Sequence, residues 1–283
     1  MAKKQAIMQS ALELFAEHGI KMTSVQQITE RCGISKGAFY LSFKSKEELI
    51  LGIIEQFMSE LATDIDRAVN EASDDSQLLY GFFHACFQSF RKHQYFARML
   101  MKEPEATLHH EVIERLRRFD GYFDQIIGTV VKRQFADAKK TLYPDLIMVV
   151  RSFLQHFAEY IFLEMNELVI DLDKLCRSLV EKTAIIAEHA TIAYLTPEDL
   201  AAKSGCTVPE REEILRLIEV KHREIEGDPI VGDSLQLLKE QIETPRFNEA
   251  IVQGLLRNIR TNSQCRWLAY LIQSYLHKQT RPS

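Results

Sequence analysis

Two short stretches of the sequence carry side chains whose types and spacing could do chemistry. The first, GISKGAFYLSFKSK at residues 33–46, contains three lysines and three serines but no acidic residue. Basic and hydroxyl side chains near the ends of short helices are suited to the phosphates of DNA. The second, HHEVIE at residues 109–114, places His110 and Glu114 four residues apart, where both could ligate a metal from one helical face.

The metal interpretation is the weaker of the two. A useful zinc site needs three or four protein ligands, and only two are spaced for it here. The sequence contains no HExxH, GxSxG, P-loop or GxGxxG motif and no CxxC pair. We therefore expect no catalytic residue, metal or cofactor, and keep a metal-dependent enzyme using His110 and Glu114 only as an alternative.

The distribution of charge supports the nucleic-acid interpretation. The chain of 283 residues has a net charge of −5, yet residues 1–48 carry seven Lys or Arg against five Asp or Glu. A mildly basic end on an acidic chain indicates a polyanionic partner at that end. The five cysteines are odd in number and far apart, which is typical of a reducing compartment. No apolar run approaches the ~20 residues of a membrane span, so we expect a cytoplasmic protein that does not contact membranes.

The elements that must position the basic stretch are helices. Apolar residues at helical spacing predict a first helix over residues 5–18, which Gly19 ends. Thr23 or Ser24 begins a second helix that ends at Gly33, and Ser35 begins a short third one. Ser45 and Glu48 form a capping box that opens a long fourth helix. A helix, a glycine turn and a short polar helix form a helix-turn-helix, whose second helix enters the major groove of DNA.

Residues 7–51 resemble the N-terminal domain of the TetR/AcrR family of bacterial transcriptional regulators. The shared elements are A-x-x-L-F-x-x-x-G at 11–19, T-S-V at 23–25, I-x-x-x-x-G-I-S-K-G at 28–37 and F-K-S-K-E-E-L at 43–49. Where many members carry an aromatic residue and a histidine after the tyrosine, this chain has Leu41 and Ser42. The DNA-binding residues that the resemblance implies are Thr23, Ser24, Ser35, Lys36, Gly37, Ala38, Tyr40, Leu41, Ser42 and Lys46.

The middle of the chain is rich in aromatic residues at helical spacing, as at Phe83, Phe87 and Phe90. Rings clustered in this way can form an ordinary core or line a cavity for an apolar ligand. In the family that residues 7–51 resemble, the effector pocket lies in this region, so we expect a hydrophobic or amphipathic small-molecule effector. The predicted pocket residues are Phe57, Phe83, Phe87, Phe90, Phe119, Phe123, Phe153 and Phe157. The alternative is a DNA-bound architectural protein without an effector, whose rings fill their own core.

The resemblance also implies the assembly and the domain order. Helices near 145–166 and 172–190 correspond to the pair through which the family forms homodimers on a palindromic operator. We expect an all-α chain with a helix-turn-helix domain at 1–48, an effector-binding and dimerisation domain at 49–190, and a helical extension at 191–283 packed on the effector domain.

The extension imitates a second helix-turn-helix around Gly205 and Thr207. Glu210, Glu212 and Glu213 would repel phosphate there, so we expect no second DNA reader. Together these features predict a ligand-responsive repressor.

Overall fold

The computed structural model describes residues 2–70, 72, 74–102, 109–161, 170–203, 209–225, 228–244 and 247–280. Every described residue in regular structure is helical, and none of these ranges contains a strand. The all-α prediction is therefore confirmed. No helix within the described ranges is long and apolar enough to cross a membrane.

The chain divides into two compact units. The first consists of residues 1–57 and 68–205, and the second of residues 58–67 and 206–283. The helices of the first unit are α1 (Ala2–His18), α2 (Val25–Cys32), α3 (Lys36–Tyr40), α4 (Lys46–Asn70), α5 (Leu78–Lys92), α6 (Gln94–Lys102), α7 (His110–Gln134), α8 (Tyr143–Glu159), α9 (Leu172–His189) and α10 (Pro197–Lys203). One segment of α4, residues 58–67, belongs by its contacts to the second unit, so this helix is shared.

The head, residues 1–48, is built on α1. The helical face predicted for α1 is buried: Ile7, Ala11, Leu14 and Phe15 are all at most 6% exposed. α2 packs against α1, and α3 packs against α2. α1 also packs against α6, which joins the head to the following helices of the first unit.

The local signals at the ends of α2 lie where the sequence predicts them. Ser24 precedes the helix and forms a reciprocal capping box with Gln27, in which the Ser24 amide donates to the Gln27 carboxamide at 2.7 Å. Gly33 ends the helix in the left-handed conformation, at φ +65° and ψ 34°. Its amide donates to the carbonyls of Glu30 and Thr29.

Replacing Gly33 with alanine is expected to destabilise the head by about 1–2 kcal/mol, because an L side chain is strained at positive φ. An added Cβ would meet no atom within 4 Å, so the cost is conformational and not steric. Gly37→Ala is the matched control. Its Cβ would meet only the Ser35 hydroxyl at 3.8 Å, and alanine is the better helix former by up to about 1 kcal/mol. Denaturant unfolding followed by far-ultraviolet circular dichroism should move the two midpoints in opposite directions, and equal midpoints would contradict the assignment of Gly33.

Beyond the head, the core of the first unit is built around α5. α5 lies against α7, α8 and α9, while α8 packs on both α7 and α9. The core includes fully buried rings of α5 at Phe82, Phe83 and Phe87. After α9, residues 190–196 run without helix, and the backbone amides of Tyr194 and Leu195 donate to the Asp145 carboxylate at 3.0 and 3.3 Å. These two hydrogen bonds hold the segment against the first turn of α8.

The second unit contains α11 (Arg211–Glu224), α12 (Pro229–Glu243), α13 (Glu249–Arg260) and α14 (Arg266–Thr280). α12 packs against α11 and α13, and α14 also packs against α11 and α13. These four helices agree with the helical character predicted for residues 191–283. Gly205 and Thr207 of the imitated helix-turn-helix lie outside the described residues, and α10 and α11 on either side belong to different units.

Candidate functional site

The helix-turn-helix is formed by α2, the turn at Gly33 and α3. Ser35 precedes α3, and its hydroxyl accepts a hydrogen bond from the Ala38 amide at 3.2 Å. Phe39 is fully buried and lies 6.0 Å, centroid to centroid, from the ring of Phe43. This buried ring anchors a helix of only five residues, so that its opposite face is presented at a fixed orientation.

The outward face of α3 consists of residues at i, i+1, i+4 and i+5 spacing. Lys36 and Gly37 are exposed, and so are Tyr40 and Leu41 at 53% and 89%. Ala38 is half-buried between the two faces. The structure therefore brings four of the ten predicted DNA-binding residues onto one accessible surface, with no acidic residue from 31 to 46 to oppose phosphate.

Thr23 has a different role from the phosphate contact predicted for it. Its side chain is buried at 1% exposure. The hydroxyl donates to the carbonyls of Gly19 at 2.9 Å and Leu14 at 3.3 Å, near the end of α1. Its polar atom is thus used to fix the turn between α1 and α2, and the neighbouring Ser24 is the exposed hydroxyl at this helix start.

Two further predicted residues make contacts within the head. The Lys46 ammonium donates to the carbonyls of Ile20 at 2.9 Å and Thr23 at 3.0 Å. The Ser42 hydroxyl donates to the Ala38 carbonyl at 3.4 Å. Lys46 consequently places a positive charge beside the start of α2 and holds the turn that leads into it.

Lys46→Ala is expected to weaken binding to every DNA sequence and to reduce the salt dependence by about one phosphate, a change in log–log slope of ~0.9. The loss combines a missing charge with a loosened turn, so Lys46→Arg, which keeps the charge, should restore most of the affinity. Lys132→Ala, at an exposed lysine of α7, is the matched control. Gel shifts over a range of salt concentrations measure both quantities, and an alanine variant that follows the wild-type line would refute the placement of Lys46 at the interface.

The predicted pocket residues separate into two ring clusters. In the first, which we call the α4 cluster, Phe57 stacks on Phe96 with centroids 4.0 Å apart and lies 6.1 Å from Phe90 and 5.4 Å from His93. The sequence spacing gave no signal for Phe96, because it lies 39 residues from Phe57 and outside the predicted set. The α4 cluster joins α4 to α5 and α6.

The second cluster, which we call the α5–α7 cluster, contains rings of these two helices. Phe83 stacks on Phe87 at 6.1 Å, and Phe119 meets Phe123 edge-on at 4.8 Å. Phe82, which was not predicted as a pocket residue, connects the two pairs at 5.9 Å from Phe83 and 6.1 Å from Phe123.

The last two predicted pocket residues, Phe153 and Phe157, are half-buried on α8. All eight predicted rings thus lie in the first unit. Six of them fall into the two ring clusters, and both clusters include rings of α5.

Two arginines, one on α7 and one on α8, form ion pairs with acidic residues of other helices. Arg115 of α7 donates to Glu55 of α4 at 2.6 Å, with the arginine side chain 10% exposed and the glutamate 24%. Arg151 of α8 bonds to Asp124 at 2.5 Å and Asp120 at 2.9 Å. Burial lowers the pKa of Arg151, but the two carboxylates outweigh it and the pKa is raised. Arg151 is half-buried and bridges both aspartates, and its single positive charge offsets one of their two negative charges.

The residues considered for metal binding lie on the surface of α7. His110 is 80% exposed and its ring nitrogen lies 3.8 Å from the Glu114 carboxylate. Within the described ranges, no three His, Cys, Asp or Glu side chains converge as metal ligands would.

Comparison with known proteins places these features in context. The family model described as bacterial regulatory proteins, tetR family, matches residues 7–53. The uncharacterized HTH-type transcriptional regulator YerO of Bacillus subtilis is 24% identical over 260 residues, which cover 91% of this chain and 89% of YerO.

Solved structures share the fold of about two thirds of the chain. The fatty acid degradation regulator FadR of Bacillus halodurans superposes with a TM-score of 0.56 at 16% identity, covering 67% of this chain and 97% of FadR. FadR of Bacillus subtilis, solved in complex with stearoyl-CoA, superposes with a TM-score of 0.55 at 17% identity, covering 66% of this chain and 99% of that structure. The remaining third of this chain has no counterpart in these two structures.

Proposed function

We propose that this chain, which belongs to the tetR family of bacterial regulatory proteins, is a cytoplasmic homodimeric repressor that a hydrophobic or amphipathic small molecule releases from its operator. The observation that carries the proposal is the outward face of α3. It is rigidly seated by Phe39, free of acidic residues and flanked by exposed lysines, as a helix that enters the major groove must be.

The effector part of the proposal is supported by the position of the α4 cluster. Phe57 lies eleven residues after the start of α4, whose first turn adjoins the head. Its partner Phe96 lies on α6, which packs against α1 of the head. A ligand inserted between these two rings would move α4, which begins in the head, and α6, which packs against it. Stearoyl-CoA, the ligand in the B. subtilis FadR complex, is an amphipathic molecule of the proposed class.

The dimer part is supported by exposed apolar side chains on and after α8 and α9. Ile185 and Tyr160 are 52% and 45% exposed, and Ile192 and Tyr194 of the following segment are 84% and 86% exposed. Side chains of this size gain free energy when a second surface covers them. A two-fold arrangement would place two α3 helices on half-sites about one helical turn apart, ~34–36 Å.

The proposal is tested by selecting DNA from a randomised library with the full chain and then titrating the selected complex. Stearoyl-CoA, stearate and a bile salt are the probes, and fluorescence anisotropy measures release of the DNA. At least one probe should weaken binding, and Phe57→Leu should alter the concentration required. Phe247→Leu, a half-buried ring of the second unit, is the matched control.

Each outcome bears on a different part of the proposal. Failure to enrich any sequence would overturn the DNA-binding role. An enriched palindrome that no amphipathic or hydrophobic probe releases would instead support an architectural protein without an effector.

A further inference from the structure

Leu41 is the most exposed large apolar side chain among the described residues. It directly follows α3 and 89% of its surface is accessible. Its backbone remains helical, at φ −72° and ψ −23°, and its amide donates to the Gly37 carbonyl at 3.1 Å. The side chain is therefore held in the register of α3, on the same outward face as Lys36, Gly37 and Tyr40.

Single exposed leucines are common on protein surfaces and carry no argument alone. Gly37, one helical turn before Leu41, supplies the second observation. Glycine is a poor helix former, and within the described residues only Gly19 and Gly33 have the positive φ that favours it. A Cβ on Gly37 would meet only the Ser35 hydroxyl, at an ordinary 3.8 Å. Nothing within the head requires a glycine here, which indicates that something outside the protein approaches this backbone closely.

The neighbouring hydroxyls offer less to an outside partner. The Ser35 hydroxyl accepts from the Ala38 amide, and the Ser42 hydroxyl donates to the Ala38 carbonyl. The Thr23 hydroxyl is buried. The most exposed side chain on this face beside Gly37 is thus the apolar one of Leu41.

The surroundings identify the partner as DNA. Lys36 and Lys44 are exposed nearby in sequence, and residues 31–46 contain no carboxylate. In the major groove the distinctive apolar feature of the base edges is the C5-methyl group of thymine. We infer that Leu41 reads a thymine methyl in each half-site, and that the bare backbone of Gly37 lets α3 approach closely enough for this contact. The inference rests on the proposed DNA-binding function and adds the base that the chain recognises.

The test replaces thymine with deoxyuridine, which removes the methyl group and leaves every hydrogen-bonding group of the base in place. An operator is first selected from randomised DNA with the full chain, and each recurring thymine is then substituted singly. One position in each half-site should lose affinity about fourfold, the value expected for one buried methyl group. In Leu41→Ala the same substitution should have no effect, because the partner of the methyl is gone.

Two controls separate recognition from folding. Leu237→Ala changes a half-exposed leucine of α12 outside the head and should keep the deoxyuridine effect. Gly37→Ala should lower DNA affinity while the unfolding midpoint rises.

The possible failures are distinguishable. If no DNA is enriched, the proposed function falls and this inference falls with it. If DNA is enriched but no thymine position responds to deoxyuridine, or the response persists in Leu41→Ala, then the inference is wrong and the DNA-binding function stands.

Discussion

Replacing Arg115 with methionine is expected to destabilise the first unit by about 3 kcal/mol, because losing one partner of a buried ion pair removes a hydrogen bond and an opposite charge that stabilise the other. Glu55 would keep a carboxylate only 24% exposed on α4, without the 2.6 Å bond that Arg115 donates from α7. We place the value at the low end of the usual range because that carboxylate retains some contact with water.

The double variant Arg115→Met with Glu55→Leu separates the charge from the packing. Apolar replacement of both partners of a buried pair is often neutral or stabilising, so most of the loss should be recovered. The sole tryptophan, Trp267, lies in the second unit, so its fluorescence reports that unit while far-ultraviolet circular dichroism follows both. Losses that simply add in the two single variants and the double variant would show that the pair contributes nothing by itself.

The ends of the first helices could be predicted from sequence because their chemistry is local. Ser24 and Gln27, or Ser45 and Glu48, are three residues apart, and the Glu48 amide indeed donates to the Ser45 hydroxyl at 3.1 Å. Gly33 ends α2 because only a residue that tolerates positive φ fits there. Each of these signals is contained within one helical turn, so no tertiary information is needed to read it.

The roles of Thr23 and Lys46 could not be read in the same way. Both stand at positions where hydroxyl and ammonium groups commonly meet phosphate, and their residue types are suited to that role. Their partners, the carbonyls of Leu14, Gly19 and Ile20, are backbone atoms whose position depends on how α1 is followed by its turn. Every residue has a backbone carbonyl, so the sequence does not show which carbonyls accept from a given side chain. The hydrogen bonds that Thr23 and Lys46 make within the head could therefore not be predicted.

The pairing of rings and charges across helices was also beyond local reasoning. Helical spacing predicts that Phe83 and Phe87 share a face, and they stack. It does not reveal that Phe57 stacks on Phe96, or that Glu55 pairs with a residue 60 positions away. Such contacts depend on how whole helices pack. The sequence pattern predicts which face of a helix is apolar, but not which helix packs against that face.

The division of α4 between two units has a consequence for the C-terminal part of the chain. Met58, Leu61 and Ile65 are at most 1% exposed, and all three lie in the segment of α4 that belongs to the second unit. Within the same unit, Asp66 pairs with Arg266 of α14. Residues 206–283 therefore supply part of the environment of the helix that begins at the head.

Ending the chain after Tyr194 is accordingly expected to abolish a stable, soluble fold. Fully exposing a large aliphatic side chain costs about 1.5–3 kcal/mol, so three of them represent about 5–9 kcal/mol, comparable to the whole stability of a typical domain. The truncated chain should aggregate, or unfold at a much lower denaturant concentration than the full chain, as measured by light scattering and circular dichroism.

Leu61→Gln and Ile65→Lys, introduced together into the truncated chain, should recover solubility because the residues that become exposed are then polar. The same two changes in the full chain should destabilise the second unit. The difference in Trp267 fluorescence between folded and unfolded protein should then become smaller. A truncated wild-type chain that remained monodisperse and bound the selected operator as tightly as the full chain would show that residues 206–283 are dispensable to α4, and that its burial there is not required for the head to work.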